Sequence, residues 1–167
     1  MTISATARHG FPLLSAGQAQ KEVMHNEALL LADFLINPVA EELARDTPPE
    51  APLAGQAWIV GGAPTGAWID RVDQIACWTV GGWRYVAPFE GMHVWLRGAE
   101  LWAVRGESAW AQGVARVSEV QVAGMRVLGT RQPMIAEPTG GSVVDDQARG
   151  TVTAILIALR AHGLISV

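Results

Sequence analysis

Apolar positions recur at helical spacing early in the chain. Met24, Ala28, Leu31 and Leu35 form one stripe, which Leu30 and Phe34 widen. Gln18, Lys21, Glu22, His25 and Asn26 make the other side polar. Ser15 and Gln18 have the spacing of a capping box at the helix start. Asn37-Pro38 ends it, because the residue before a proline avoids the helical region. Residues 1–14 read as an extended arm with little local structure. Val39 to Arg45 fits a strand or a helical turn, with the strand preferred. Asp46 to Gly55, with Pro48, Pro49 and Pro52, reads as a stiff connector and the one clear internal boundary.

From Trp58 to Trp110 the period changes to two, and this stretch holds all seven tryptophans of the chain. Gly81-Gly82 between two β-like runs signals a two-residue hairpin, which would pair Val80 with Trp83 and Trp78 with Tyr85. Gly98-Ala99 suits a type II′ turn, pairing Arg97 with Glu100, Leu96 with Leu101 and Trp95 with Trp102. A third turn near Gly106 leads to Trp110. The expected result is an antiparallel meander, forming a small sheet or barrel. In the second hairpin Val94, Leu96, Leu101 and Ala103 share one face, and His93, Trp95, Arg97, Glu100, Trp102 and Val104 the other. If the aliphatic face is core, Trp95 and Trp102 form an exposed aromatic pair beside His93. An indole pair of this kind can stack on a sugar ring. The competing reading is that tryptophans bulk out a sheet with few large aliphatics.

Val114 to Leu128 alternates again and predicts one or two further strands. Thr130 to Gly141 is a loop. The last element is a helix from about Asp145 to His162, with Asp145 as N-cap, Gly163 as the left-handed residue after it and Leu164 closing a Schellman motif on Leu159. Val152, Ala154, Ile155, Leu156, Ile157, Ala158 and Leu159 leave this helix apolar nearly all round, so it needs cover on several sides. The fold class is therefore α+β, divided as an arm and helix (1–46) for attachment and oligomerisation, a tryptophan-rich β module (47–129), and a loop with the C-terminal helix (130–167).

Half of the 167 residues are apolar and only 17% are charged, against roughly a quarter in an ordinary soluble domain. Self-association is the simplest use for that surplus, through Met24, Leu31 and Leu35 on the first helix and Val152, Ile155 and Leu159 on the last. The net charge of −4, without a Lys/Arg cluster, argues against nucleic acid. The apolar runs are too short to span a bilayer, so no membrane partner is expected.

Candidate chemistry is sparse. His25 and Glu27, two apart on a helix, occupy different faces and suggest a solvated or interface histidine. The single cysteine, Cys77, sits in a strand pattern and reads as a core residue. His9, His25, His93 and His162 are too scattered for a metal site, and no phosphate loop or nucleophile elbow is present. Asp70, Asp73, Glu90 and Glu100 lie near the sheet, but nothing in the sequence sets two carboxylates face to face as glycoside hydrolysis requires. No enzymatic role, cofactor or metal is expected.

Three stretches resemble a known family. Ser15-Ala-Gly-Gln-Ala-Gln-Lys-Glu-Val-Met-His-Asn-Glu-Ala-Leu29 is similar to the opening of an uncharacterised family found in prophages and in bacterial gene transfer agents. Gly66-Ala-Trp68, Trp78, Gly82-Trp83, Ala87-Pro88, Gly91 and Trp95 resemble its repetitive core, with Met92 where an aromatic residue is usual. Ile135-Ala-Glu-Pro-Thr-Gly-Gly141 and Ala161-His-Gly-Leu-Ile165 resemble its tail. The resemblance implies a virion component of a phage-like particle, a tail fibre or a head spike that supports host attachment. The chain stops soon after the last helix, which suggests a base or connector. Its partners would then be itself, as a trimer or pentamer, and other particle proteins. The alternative is a polysaccharide-binding module that grips host capsular polysaccharide through Trp95, Trp102 and His93.

Overall fold

The structure is a computed structural model that describes residues 5–14, 21–142 and 145–166. The chain forms two compact units, residues 1–114 and 115–167. The first holds α1 (Lys21–Leu35), β1 (Val39–Ala40), β2 (Ala57–Ile59), β3 (Ile75–Thr79), β4 (Gly82–Val86), β5 (His93–Leu96), β6 (Leu101–Arg105) and β7 (Trp110–Gln112). The second holds β8 (Val120–Val122), β9 (Met125–Leu128) and α2 (Asp146–Ala161). The fold is α+β as expected, but the units do not divide at residues 46 and 129. The proline-rich connector is stitched into the first unit. The Asp46 carbonyl accepts from Thr65 N–H (2.8 Å), its carboxylate from Ala63 N–H (2.9 Å), and Gly55 N–H donates to the Trp78 carbonyl (2.9 Å).

Instead of one meander or a barrel, the strands make a four-stranded sheet, β1-β5-β6-β7, and a three-stranded sheet, β2-β3-β4. All pairings in them are antiparallel except β1 with β5, which is parallel. The alternation of the strands explains the core. Val94, Leu96, Ala103 and Ala40 from one sheet meet Ile59, Ile75, Cys77 and Ala57 from the other, with Phe34 of α1 and Met92 joining them. The sheets are seamed by residues 39–46. Arg97 N–H donates to the Ala40 carbonyl (2.8 Å), while Glu41 N–H donates to Ala57 and Arg45 N–H to Ile59 (2.8 and 3.1 Å). Val39 to Arg45 is thus a two-residue strand followed by a crossing segment. Gly61 lets that segment close in. A Cβ there would lie 2.8 Å from the Ala44 carbonyl oxygen and 2.2 Å from the Asp46 carboxylate.

One expected register is wrong and one is right. In the first hairpin Trp78 pairs with Trp83, Thr79 with Gly82 and Ala76 with Tyr85, so the turn residues are Val80-Gly81. Of the two glycines only Gly82 takes a positive φ (97°), as in a turn followed by a glycine bulge. Thr79 fixes this choice: its hydroxyl accepts from Gly81 N–H (3.1 Å) and donates to the Gly82 carbonyl (2.8 Å). The second hairpin pairs Trp95 with Trp102 and Leu96 with Leu101, as the spacing predicts. Its turn is not type II′, since the positive φ (54°) belongs to Glu100 and not to Gly98. Arg97 turns away from Glu100 and sits 3.6 Å from Glu41.

The arm is not structureless. Residues 5–12 form a tight reversal, with Ala5 bridged to Pro12 and Gly10 at positive φ (69°). It is clamped onto α1 by Asp33, a fully buried carboxylate that accepts from the Thr6 hydroxyl (2.8 Å), Arg8 N–H (2.9 Å), His9 N–H (2.7 Å) and the His9 ring (3.0 Å). Burial alone would raise the Asp33 pKa, but these bonds outweigh it and hold the group below its ordinary value. Asn26, expected on the solvent side, exchanges two hydrogen bonds with the Leu14 backbone (2.9 and 3.0 Å). The inward line of α1 therefore runs through Leu30, Asp33 and Phe34, leaving Met24 and Leu35 exposed. The expected Ser15–Gln18 cap lies outside the described residues.

In the second unit, β8 and β9 form one hairpin through Ala123-Gly124, both at positive φ (50° and 76°), as a type I′ turn requires. Its two strands begin at Val120, not at Val114. On α2 the Asp145 carboxylate accepts from Ala148 N–H (2.9 Å). Leu164 N–H reaches the Leu159 carbonyl and Gly163 N–H that of Arg160 (both 2.9 Å), which is the Schellman closure. Gln132 pairs with Ile165 as a parallel bridge.

Candidate functional site

The seven tryptophans divide by what covers them. On the outer face of the three-stranded sheet, Trp58, Trp78 and Trp83 pack around Trp68, which a short 3-10 turn (Gly66–Trp68) lays over the strands. Ring centroids in this cluster lie 4.8 to 6.2 Å apart, mostly edge to face. Tyr85 closes the cluster. Its hydroxyl donates to the Ala67 carbonyl (2.5 Å) and the Arg71 guanidinium lies 4.5 Å from its ring. Trp68 is wholly buried, and its indole N–H has no partner among the described residues. For these residues the packing reading holds.

The outer face of the four-stranded sheet differs. Val94, Leu96 and Ala103 are buried in the core, which turns Trp95, Trp102 and His93 outward as the alternation predicts. Leu101 departs from its face-mates and is exposed, beside Gly113. Trp102 is 46% exposed and Trp95 half-buried. Their rings meet edge to face at 5.3 Å and 71°, and the exposed His93 ring lies 6.3 Å from Trp102. A pair at this angle offers an L-shaped apolar corner, not a flat platform. Trp110 belongs to neither set; it packs against the core and its indole N–H donates to the Asp73 carbonyl (2.9 Å).

Three of the other candidate groups, Cys77, Asp73 and Glu27, are taken up by the structure. Cys77 is buried in the core, where burial pushes its thiol up to about 12 and so keeps it protonated. Asp73 is bonded to Arg105 (2.8 Å), and Glu27 pairs with Arg84. His25 is exposed.

Residues 25–111, more than half of the chain, match the family described as a protein of unknown function, DUF2793. The chain belongs to the DUF2793 family. No curated protein matches it. The DUF2793 region begins in α1 and ends in β7, so it takes in both sheets and both tryptophan sets and stops short of the second unit.

The expected interface residues fall on the surface unevenly. Met24 (79%), Leu35, Val152 and Ile155 are exposed, whereas Leu31 and Leu159 are half-buried. Ile157, Val122, Met125 and Val127 are exposed as well. Arg8 and Asp33 carry no signal in the sequence, because each is a single charged residue in a segment whose partners lie 24 to 47 residues away.

Proposed function

We propose that this DUF2793 protein is a homo-oligomeric structural subunit of a phage-like particle, forming the base of a head spike or fibre that supports attachment to the host surface. One observation supports the oligomer above all. In residues 115–167, Leu156 and Ile165 are the only buried hydrophobic residues among those described, while Val152, Ile155, Ile157, Val122, Met125 and Val127 face solvent. A unit of this size is marginal even when well packed, so this one gains most by burying its apolar surface on copies of itself. The particle role rests on the resemblance of the Ser15–Leu29, Gly66–Trp95 and Ile135–Ile165 segments to prophage and gene transfer agent proteins. Light scattering of the full chain at micromolar concentration is expected to give a trimer or pentamer, and Ile155→Glu to dissociate it. A monomeric wild type would refute the reading.

A second reading is favoured by the Trp95/Trp102 corner, an exposed aromatic pair on a sheet whose other face packs Val94, Leu96 and Ala103 into the core. Here the DUF2793 region binds polysaccharide directly, with His93 at the rim. Trp95→Ala and Trp102→Ala would abolish retention on immobilised capsular polysaccharide while leaving the far-UV spectrum intact. Unchanged retention would remove this reading.

A further inference from the structure

We infer that the cleft between the arm and β1 is the carboxylate-binding part of a site for acidic saccharides, whose aromatic part is the Trp95/Trp102 corner. The inference rests on the second reading above and adds a ligand class to it.

The cleft has a volume of about 460 Å³, and Arg8, His9, Asn37, Val39, Gln56 and Arg97 are among its lining residues; none of the lining residues is acidic. Arg8 is its unusual member. The guanidinium is half-buried, stacked 4.5 Å from the Phe34 ring, and its N–H groups go to main-chain carbonyls: Val39 (2.7 Å), Gly55 (2.8 Å), Asn37 (3.3 Å) and Phe34 (3.5 Å). No carboxylate lies within ion-pair distance of it among the described residues. The nearby Asp33 is occupied by the arm's own donors. Such a cation has given up water for carbonyl dipoles, and Asp33 and Glu41 offset its charge only from a distance, so a bound anion would add a direct counter-charge. Burial lowers the Arg8 pKa, and the attraction of Asp33 and Glu41 only partly offsets it.

Arg97 adds a second guanidinium on the other rim, 65% exposed and held only loosely by Glu41 at 3.6 Å. Arg97 can engage a carboxylate through two parallel N–H bonds, while Arg8, with four of its five N–H groups on carbonyls, adds charge and one further donor. What selects a saccharide over an acidic peptide is continuity with the aromatic corner. Val39 lines the cleft and is the register partner of Trp95. Arg97 stands two residues beyond Trp95, about 7 Å along a strand. A chain of sugar rings resting on Trp95 and Trp102 would bring a uronate carboxylate to the cleft. A neutral sugar would leave the cleft unused, and an acidic peptide would leave the indoles unused.

The test is calorimetric titration of the full chain with tetragalacturonate, maltotetraose and hexaglutamate, using wild type, Arg97→Ala and Trp102→Ala. Neither substituted side chain lies in the core, so the fold persists, as circular dichroism checks. The expected result is binding of tetragalacturonate in preference to maltotetraose. Arg97→Ala should weaken it by roughly tenfold or more, the worth of a charge-assisted hydrogen bond, and Trp102→Ala should weaken it too. Equal binding of both tetrasaccharides, lost in Trp102→Ala and untouched by Arg97→Ala, would overturn the cleft's role and leave the aromatic reading standing. Binding of hexaglutamate alone, sensitive to Arg97, would make the cleft a protein contact and overturn the saccharide assignment. If nothing binds, both fall.

Discussion

Asp33 offers the sharpest quantitative test of how the first unit is held together. Replacing it with asparagine keeps the volume but swaps one carboxylate oxygen for an amide N–H₂. In the structure one oxygen takes Thr6, His9 N–H and the His9 ring, and the other takes Arg8 N–H. If the amide oxygen keeps the threefold position, the amide nitrogen faces Arg8 N–H and that bond is lost. A bond to a charged group is worth about 1.5–3 kcal/mol, and turning each of the other three from charge-assisted to neutral costs roughly 0.5 kcal/mol more. Asp33→Asn should therefore destabilise the unit by about 3–4.5 kcal/mol near neutral pH.

The pH dependence gives that number a signature. The folded-state pKa of Asp33 is depressed, so its contribution is fully present above the unfolded value of 3.8 and fades as pH falls through the folded value. Urea unfolding can be followed by tryptophan fluorescence, since all seven indoles lie in the first unit. The gap between wild type and Asp33→Asn should narrow by up to about 1 kcal/mol between pH 5 and pH 3. A gap below about 0.5 kcal/mol at pH 7, or no narrowing in acid, would refute the clamp.

Two further outcomes follow from the same structure. Trp68→Ala, which empties the centre of the aromatic cluster, should cost about 3–5 kcal/mol in urea unfolding, whereas Trp102→Ala on the open face should cost under about 1 kcal/mol; equal losses would show that the two faces are not differently covered. Cys77, with its thiol pushed up to about 12, should be unmodified by a thiol reagent at pH 8 in the folded protein and react fully in urea.

The parts legible in the sequence were those decided by neighbours. Asp145 and Gly163 bracket α2 because caps act within one turn, and both made the expected bonds. The Trp95–Trp102 register could be read because the turn between them is short. The first hairpin failed at Gly81-Gly82 because either glycine can take the positive φ, and Thr79, a residue outside the pair, decides between them. Asp46 to Gly55 looked like a linker from its prolines, yet its two ends are tied down, Asp46 to Ala63 and Thr65 and Gly55 to Trp78, none close in sequence. Asp33 was invisible for the same reason: a carboxylate in mid-helix reads as solvated unless one knows that the arm returns to cover it.

The same logic separates the two tryptophan faces and so bears on function. Each sheet alternates, and each presents indoles on the side away from the shared core. On the three-stranded sheet that side receives the Gly66–Trp68 turn, which buries Trp58 and Trp68 and leaves Trp78 and Trp83 half-buried against them. On the four-stranded sheet Trp102 is left open to solvent and Trp95 partly so. A sheet that needed tryptophan only for bulk would gain by covering both faces or by placing smaller residues on the open one. Leaving two indoles at an open corner, next to a cleft with two guanidiniums, forgoes that gain, and ligand binding is the use that would return it.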